Sequence, residues 1–303
     1  MTLPPKSPAA PAPAPAPASA QRSSRAAASP PAAGAPATGI TVRPLASLTD
    51  YHACVALERE VWGEEFDGTI PANLMQVATY VGGIALGAFD VDGQLVGFVF
   101  GLTGVLDGKI AHWSHVLGVR TTLRNAGIGR MLKEYQRAEL ARRGIAQMYW
   151  TYDPLIAKNS HLNLDVLGAR VVRYVPDMYG DTGSPLHHGL ETDRLVVVCD
   201  TTPTPRPPRR PVDSPLPILS ARLQSGDETV APSATPPRVL LEIPSDFAQL
   251  LARAPKEAAE WHAATRRHFL WALGHGYDVV GMHFDRTSGS GRSFYLLDRT
   301  APL

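Results

Sequence analysis

Between an apolar run, His112 to Val119, and an amphipathic stretch ending near Gly144, the chain carries Arg124-Asn125-Ala126-Gly127-Ile128-Gly129, followed by Arg130-Met131-Leu132. An extended run, a side-chain-poor turn and a helix in that order point to α/β architecture. A tight turn at a helix start exposes several backbone N–H groups, and the helix dipole adds positive potential there. That arrangement can cradle a pyrophosphate. No Lys-Ser/Thr pair follows, as a P-loop needs, and no third glycine, as a dinucleotide fingerprint needs.

The flanking periodicities extend the pattern. Ile40 to Leu45 reads as a strand, and Thr49 or Asp50 can cap a helix with Tyr51, Cys54, Leu57 and Val61 at helical spacing. Ile84 to Phe89 and Leu95 to Leu102 are apolar runs joined at Asp92-Gly93, a hairpin signal. Ile110 to Val119 continues the meander. After the turn, Ile128, Met131, Leu132, Tyr135 and Ala138 form one stripe predicted to be buried, with Arg130, Lys133, Glu134 and Arg137 outside. Gly144 suits the helix end. Ile145 to Tyr152 is a strand stopped by Asp153-Pro154, Asn159 to Leu167 a helix closed by Gly168, Ala169 to Tyr174 a strand, and Leu195 to Cys199 the strand that closes the sheet. Val239 to Ile243, a helix around Trp261 to Leu273, Tyr277 to Phe284 and Phe294 to Leu297 form a small β-α-β-β extension. Trp261, Phe269 and Trp271 are read there as core or interface aromatics.

Composition sets the boundaries. Residues 1–38 are almost entirely Ala, Pro and Ser, and 201–237 is Pro-rich, so neither buries enough apolar surface to offset chain entropy. A disordered tail (1–38), a first domain (39–200), a linker (201–237) and a small C-terminal α/β subdomain (238–303) follow. A net charge of +1 gives no electrostatic case for nucleic acid; Arg206, Arg209 and Arg210 read as part of a solvated linker. Pro recurs through the N-terminus where a signal peptide needs a continuous apolar stretch, and no window reaches the length of a membrane span. Cys54 and Cys199 are too few for a disulfide framework and lack metal spacing, so a reduced, cytoplasmic setting is expected.

Val119-Arg120-Thr121-Thr122-Leu123-Arg124-Asn125-Ala126-Gly127-Ile128-Gly129 resembles motif A of the GNAT acyltransferases, Arg/Gln-x-x-Gly-x-Gly/Ala, with likeness over roughly residues 40–200. The resemblance implies a mixed sheet flanked by helices and an N-acyltransferase that uses acetyl-CoA or another acyl-CoA as co-substrate, without metal. The amide groups of Asn125, Ala126, Gly127, Ile128, Gly129 and Arg130 would then hold the pyrophosphate, with Arg124 bracing the loop and Arg130 either reaching phosphate or lying on a solvated helix face. By position, Leu117, Gly118 and Val119 inherit the backbone contacts to thioester and pantetheine. One fixed N–H aimed at the thioester oxygen contributes about 3 kcal/mol to the transition state.

Acylating an amine needs a neutral nucleophile and a base to take its proton. In many GNAT members a Tyr of the last helix serves as acid, and here Leu164 stands at that position. His115, which shares strand parity with Trp113, Leu117 and Val119, and Tyr152, at the end of a strand that faces the cleft in the family layout, are the catalytic candidates; Asp153 is a weaker one. His112 falls on the opposite face. Asn159 reads as a helix N-cap, a cofactor contact, or both. Arg170 and Arg173, at odd spacing, point to opposite faces. His187-His188 has no third ligand at metal spacing. Asn159-Ser160-His161, Leu167-Gly168-Ala169, the loop from Tyr179 and Thr192-Asp193-Arg194 are similar to a GNAT subgroup related to amino-acid N-succinyltransferases. Donor acyl group, amine and oligomeric state, including a homodimer, stay open at this level, as does a non-catalytic acyl-CoA-binding or partner-docking role.

Overall fold

Apolar runs separated by short turns fold the first half of the chain into a meander with helices laid on both faces. The computed structural model describes residues 39–183, 189–202, 212, 215–222, 235–285 and 291–299. The 1–38 tail, Arg206, Arg209, Arg210 and His187-His188 lie outside them. In chain order the first part contains β1 (Thr41–Pro44), α1 (Leu48–Trp62), α2 (Ala72–Tyr80), β2 (Ile84–Phe89), β3 (Leu95–Leu106), β4 (Lys109–Val119), α3 (Ile128–Arg142), β5 (Gln147–Tyr152), α4 (Ala157–His161) running into a π-turn at Leu162–Val166, β6 (Arg170–Val175) and β7 (Arg194–Asp200). They form a seven-stranded mixed sheet of order β1-β2-β3-β4-β5-β7-β6. This is a mixed-sheet α/β architecture with helices on both faces, as the element order predicts. β7 does not close the sheet: it inserts between β5 and β6, antiparallel to both.

Two helix assignments differ from the periodicity. The cap of α1 is Ser47, whose hydroxyl accepts from the Asp50 N–H while the Asp50 side chain returns the bond, a capping box. Helix α2 is not anticipated, because its exposed face carries Leu74, Val77 and Tyr80 and so lacks an amphipathic signal.

Helices α1 and α2 cover one face of the sheet through Tyr51, Cys54, Leu57 and Met75 against Phe98 and Phe100. Glu58 is fully buried in the same layer. One carboxyl oxygen accepts the Ile70 N–H at 3.0 Å, and the other has no hydrogen-bond partner among the described residues. Burial pushes this carboxyl up to about 7, the Ile70 N–H opposing. Between its ordinary 4.5 and about 7 the folded chain keeps a proton that the unfolded chain has released. Stability therefore falls by about 3 kcal/mol as pH rises through that window, and is flat above it. Glu58→Gln is expected to remove this fall, read as the wild-type minus variant difference in urea midpoints at pH 4.5 and 7.5. An unchanged difference would exclude Glu58 as its source.

On the other face, α3 packs through Ile128, Leu132 and Leu140. Its buried stripe also takes in Lys133 and Gln136, while Ala138 is exposed, so the predicted placement of Lys133 outside and Ala138 inside is wrong. The polar residues are tolerated because they link into a chain. Lys133 Nζ donates to Ser114 Oγ at 2.7 Å, Ser114 Oγ donates to Gln136 Oε1 at 2.7 Å, the Gln136 amide meets His112 Nε2 at 3.0 Å, and His112 Nδ1 meets Thr103 Oγ1 at 3.0 Å. Burial lowers Lys133 to about 7 and, with Lys133 and Arg143 nearby, lowers His112 to about 4. His112 is thus a neutral structural residue that ties β4 to α3.

The C-terminal part contains β8 (Ile218–Leu219), β9 (Arg238–Ile243), α5 (Phe247–Arg253), α6 (Pro255–Gly274), β10 (Tyr277–Asp285) and β11 (Arg292–Arg299) in a second sheet of order β10-β11-β9-β8. β8, within the stretch read as linker, pairs in parallel with β9. One apolar core runs through both parts: Tyr174 stacks on Phe269 at 5.2 Å, and Phe269 meets Tyr295 edge-on at 5.0 Å. Trp261 and Phe269 are buried there, and Trp271 packs at the margin. Arg266 of α6 donates two hydrogen bonds to Asp193, which also accepts from Tyr174 Oη at 2.5 Å and the Asp177 N–H at 2.9 Å.

Candidate functional site

The parallel pairing of β4 with β5 is limited to His112 with Met148 and Trp113 with Tyr149. Beyond those two pairs the strands diverge, so the C-terminal half of β4 has one edge free. The Arg120 N–H bonds Val96 O at 2.8 Å in continuous register with Gly118 opposite Phe98. Antiparallel alternation then turns Gly118 toward β3 and aims the N–H and C=O groups of Leu117 and Val119 into the gap. Gly118 therefore serves by lacking a side chain: a Cβ there would lie 3.1 Å from the Trp62 ring and 2.8 Å from Phe98.

The turn abuts this edge, since a Cβ on Gly129 would lie 3.4 Å from the Leu117 side chain. Asn125 (φ 67°) and Gly127 (φ 80°) both adopt left-handed backbone, which curls the chain so that successive N–H groups face one side. Residues Arg124 to Gly127 are exposed. Met131 N bonds Gly127 O at 3.0 Å, and no described hydrogen bond engages the N–H groups of Asn125, Ala126, Gly127, Ile128, Gly129 or Arg130. Unengaged amides at the N-terminus of a fifteen-residue helix have the geometry and dipole suited to an anion. Arg130 takes the helix-face alternative, and the bracing expected of Arg124 is not seen. Arg130 is held by Glu134 at 2.7 Å, while no described hydrogen bond or ion pair engages the exposed side chain of Arg124.

His115 occupies a β-bulge. Ser114 pairs with Gly101 and Val116 with Phe100, which leaves His115 as the extra residue. His112 and Ser114 reach α3 before the bulge, Leu117 reaches the same face after it, and Val116 joins the α1–α2 layer. The parity expected of Trp113, His115, Leu117 and Val119 is therefore broken at His115. The imidazole stays open to solvent although protein crowds it, and that burial holds its protonation below the ordinary range. It is a neutral, accessible base at pH 7.

Tyr152 departs from expectation. It lies on the buried face of β5 with Met148 and Trp150, inside the core beneath α4. Its hydroxyl sits near those of Ser160 and Tyr295 without a well-directed hydrogen bond to either, and burial raises the phenol well above its usual range. The strand faces the core rather than a cleft at this point, because the C-terminal part covers it: Tyr295 Oη donates to Pro154 O at 2.7 Å and lies 2.6 Å from Ser160 Oγ.

Asn159 is exposed on α4, and Ile156 occupies the N-cap, so the cap reading fails. Asn163 accepts the Trp150 indole N–H at 2.9 Å and is structural. Leu164 is buried in the π-turn. Asp153 closes an ordinary turn through the Leu155 N–H at 2.8 Å. A bulge at Val172 sets Arg170 opposite Val198 and Arg173 opposite Val196, so these two arginines share a face. On the α1 side, the α1–α2 connection meets the β6–β7 loop where Asp67 N bonds Thr182 O at 3.2 Å. Trp62 stacks on Phe66 at 5.6 Å there. Trp62, eleven residues after Tyr51 and so on nearly the same helix face, packs against the α1–α2 layer and was not among the expected site residues.

No protein-family model matches the chain, and no curated protein matches it. Among solved structures, the chain is similar to the ribosomal-protein-S18-alanine N-acetyltransferase from Escherichia coli, at 18% identity over 56% of this chain and 99% of that one, with a TM-score of 0.43. It is also similar to a GNAT superfamily phosphinothricin acetyltransferase from Sinorhizobium meliloti in complex with acetyl-CoA, at 16% identity over 54% of this chain and 89% of that one, TM-score 0.42. An aminoglycoside 6'-N-acetyltransferase from Enterococcus faecium is 20% identical over 55% of this chain and 99% of its own, TM-score 0.40. Likenesses at this level assign neither an activity nor a residue's role.

Proposed function

We propose that the chain is an acyl-CoA-dependent N-acyltransferase that moves an acetyl or succinyl group to a small-molecule amine, with amino acids as a favoured acceptor class. The observation that carries this reading is the ring of unengaged amides from Asn125 to Arg130 set beside the free edge of β4. A pyrophosphate on the turn would place the attached pantetheine along Leu117 and Val119. The amine nitrogen attacks the thioester carbonyl, His115 takes the amine proton directly or through water, the N–H groups in the gap meet the oxyanion, and the C–S bond breaks to release a thiolate. A thiol of pKa near roughly 8.5 needs little help to regain its proton.

The test is thiol release from acetyl-CoA and succinyl-CoA across amino acids, amino sugars and short peptides with free N-termini. His115→Ala should lower kcat by roughly 100-fold or more while the KM for acyl-CoA stays within about twofold. The limb of the pH–rate profile that reports a base should disappear with it. A changed KM at unchanged kcat would remove His115 from the proton path. Leu164, at the family's Tyr position, favours one second reading, an acyl-CoA-binding module without turnover. Binding without thiol release for every amine would select it.

A further inference from the structure

A cleft of about 410 Å³ opens beside the turn, with no β4 residue in its lining. Its walls include Asn125 of the turn, Lys158 and His161 of α4, and Phe284, Arg292 and Ser293 from the ends of β10 and β11. That volume falls within the range of small-molecule sites. Asn125 belongs to both the anion turn and the cleft. A molecule with its diphosphate on the turn and one arm along Leu117 has this cleft within reach of its other arm, through Asn125.

The lining is specific in chemistry. Phe284 is 37% exposed and meets the His161 ring edge-on at 5.5 Å. His161 is itself pinned by Asp165 through Nδ1 at 2.7 Å. Together they offer a fixed aromatic surface to a heterocyclic base. Arg292 is held by Glu242, with both bonds at 2.7 Å. Lys158 is exposed and has no ion-pair partner among the described residues, which leaves it for an incoming phosphate.

We propose that the C-terminal subdomain forms the second wall of the cofactor site, with Phe284 stacking on the adenine of acyl-CoA and Lys158 meeting the phosphate on its ribose. This rests on the acyl-CoA reading above. The subdomain then belongs to the binding site as well as to the sheet's cover, and truncation before β9 would cost cofactor affinity.

Calorimetric titration of the full chain with acetyl-CoA, its 3'-dephospho form and S-acetylpantetheine, which lacks the nucleotide, tests this. Phe284→Ala is expected to weaken acetyl-CoA about tenfold, as loss of one base–aromatic stack does, and to leave S-acetylpantetheine unchanged. Lys158→Ala should bind acetyl-CoA and the 3'-dephospho form equally, where the wild type prefers acetyl-CoA. Wild-type binding with both variants unchanged, or variants that weaken acetyl-CoA and S-acetylpantetheine alike, overturns this proposal alone. Absence of acetyl-CoA binding by the wild type overturns the acyl-CoA reading and this one with it.

Discussion

Gly127→Asp is expected to lower the affinity for acetyl-CoA by about 100-fold while Gly127→Asn lowers it far less. Gly127 caps α3 in left-handed backbone at φ 80°, and a Cβ there would meet nothing within 4 Å. The cost of either substitution is therefore backbone strain, which Asn and Asp bear better than other residues with a side chain. Asn125, two residues earlier, already sits at φ 67°. The two variants share that strain and differ by one negative charge aimed where the pyrophosphate would sit. Like charges about 4 Å apart near a protein surface repel by about 4 kcal/mol, and exposure with salt removes part of it. About 2.7 kcal/mol remaining corresponds to the 100-fold loss. Calorimetric titration with acetyl-CoA reads the difference directly. Equal affinities for the two variants would move the phosphates off this turn, and with them the functional reading.

Asp193→Ala is expected to destabilise the fold by about 3 kcal/mol, the lower end for breaking a buried ion pair because Arg266 is partly open to solvent. The Asp193 side chain is 2% exposed. Burial raises its carboxyl, but the Arg266 guanidinium, the Tyr174 hydroxyl and the Asp177 N–H together outweigh that and leave it below its ordinary 3.8. Removing the carboxylate leaves Arg266 with Glu191 alone, at 2.6 Å, and the Tyr174 hydroxyl without its acceptor, which costs more than the net worth of the bonds. For a domain of this size the loss amounts to a fall in Tm of roughly 6–12 °C. The sign with pH follows from the lowered carboxyl. The part of its contribution tied to ionisation is complete above the unfolded value near 3.8 and is lost as pH falls through the lower folded value, so the gap between wild type and Asp193→Ala should narrow only in strong acid. A variant with wild-type Tm at pH 7 would show that the Asp193 carboxylate adds nothing to the docking of α6.

The anion turn was legible because its signal is local. Glycine spacing, a preceding apolar strand and a following amphipathic stripe lie within about thirty residues, and no distant contact has to be known. The strands flanking it were legible for the same reason. What failed was parity and burial. His115 and Val172 are each the extra residue of a bulge, and one inserted residue exchanges the faces of everything counted across it. Lys133 read as solvent-facing by its charge, yet Ser114 and the Trp150 ring, 4.3 Å from its ammonium nitrogen, receive it in the interior. Tyr152 read as a cleft residue until Tyr295, 143 positions away in sequence, was seen to cover it.

The sequence by itself determined the α/β order and a side-chain-poor turn at a helix start, because both depend on neighbours along the chain. Only the tertiary structure decided which side chains stand at that turn. The splay of β4 from β5, the bulge that turns His115 out, and the C-terminal wall beside Asn125 all arise from contacts between segments far apart in sequence. Such contacts leave no periodicity in either segment alone.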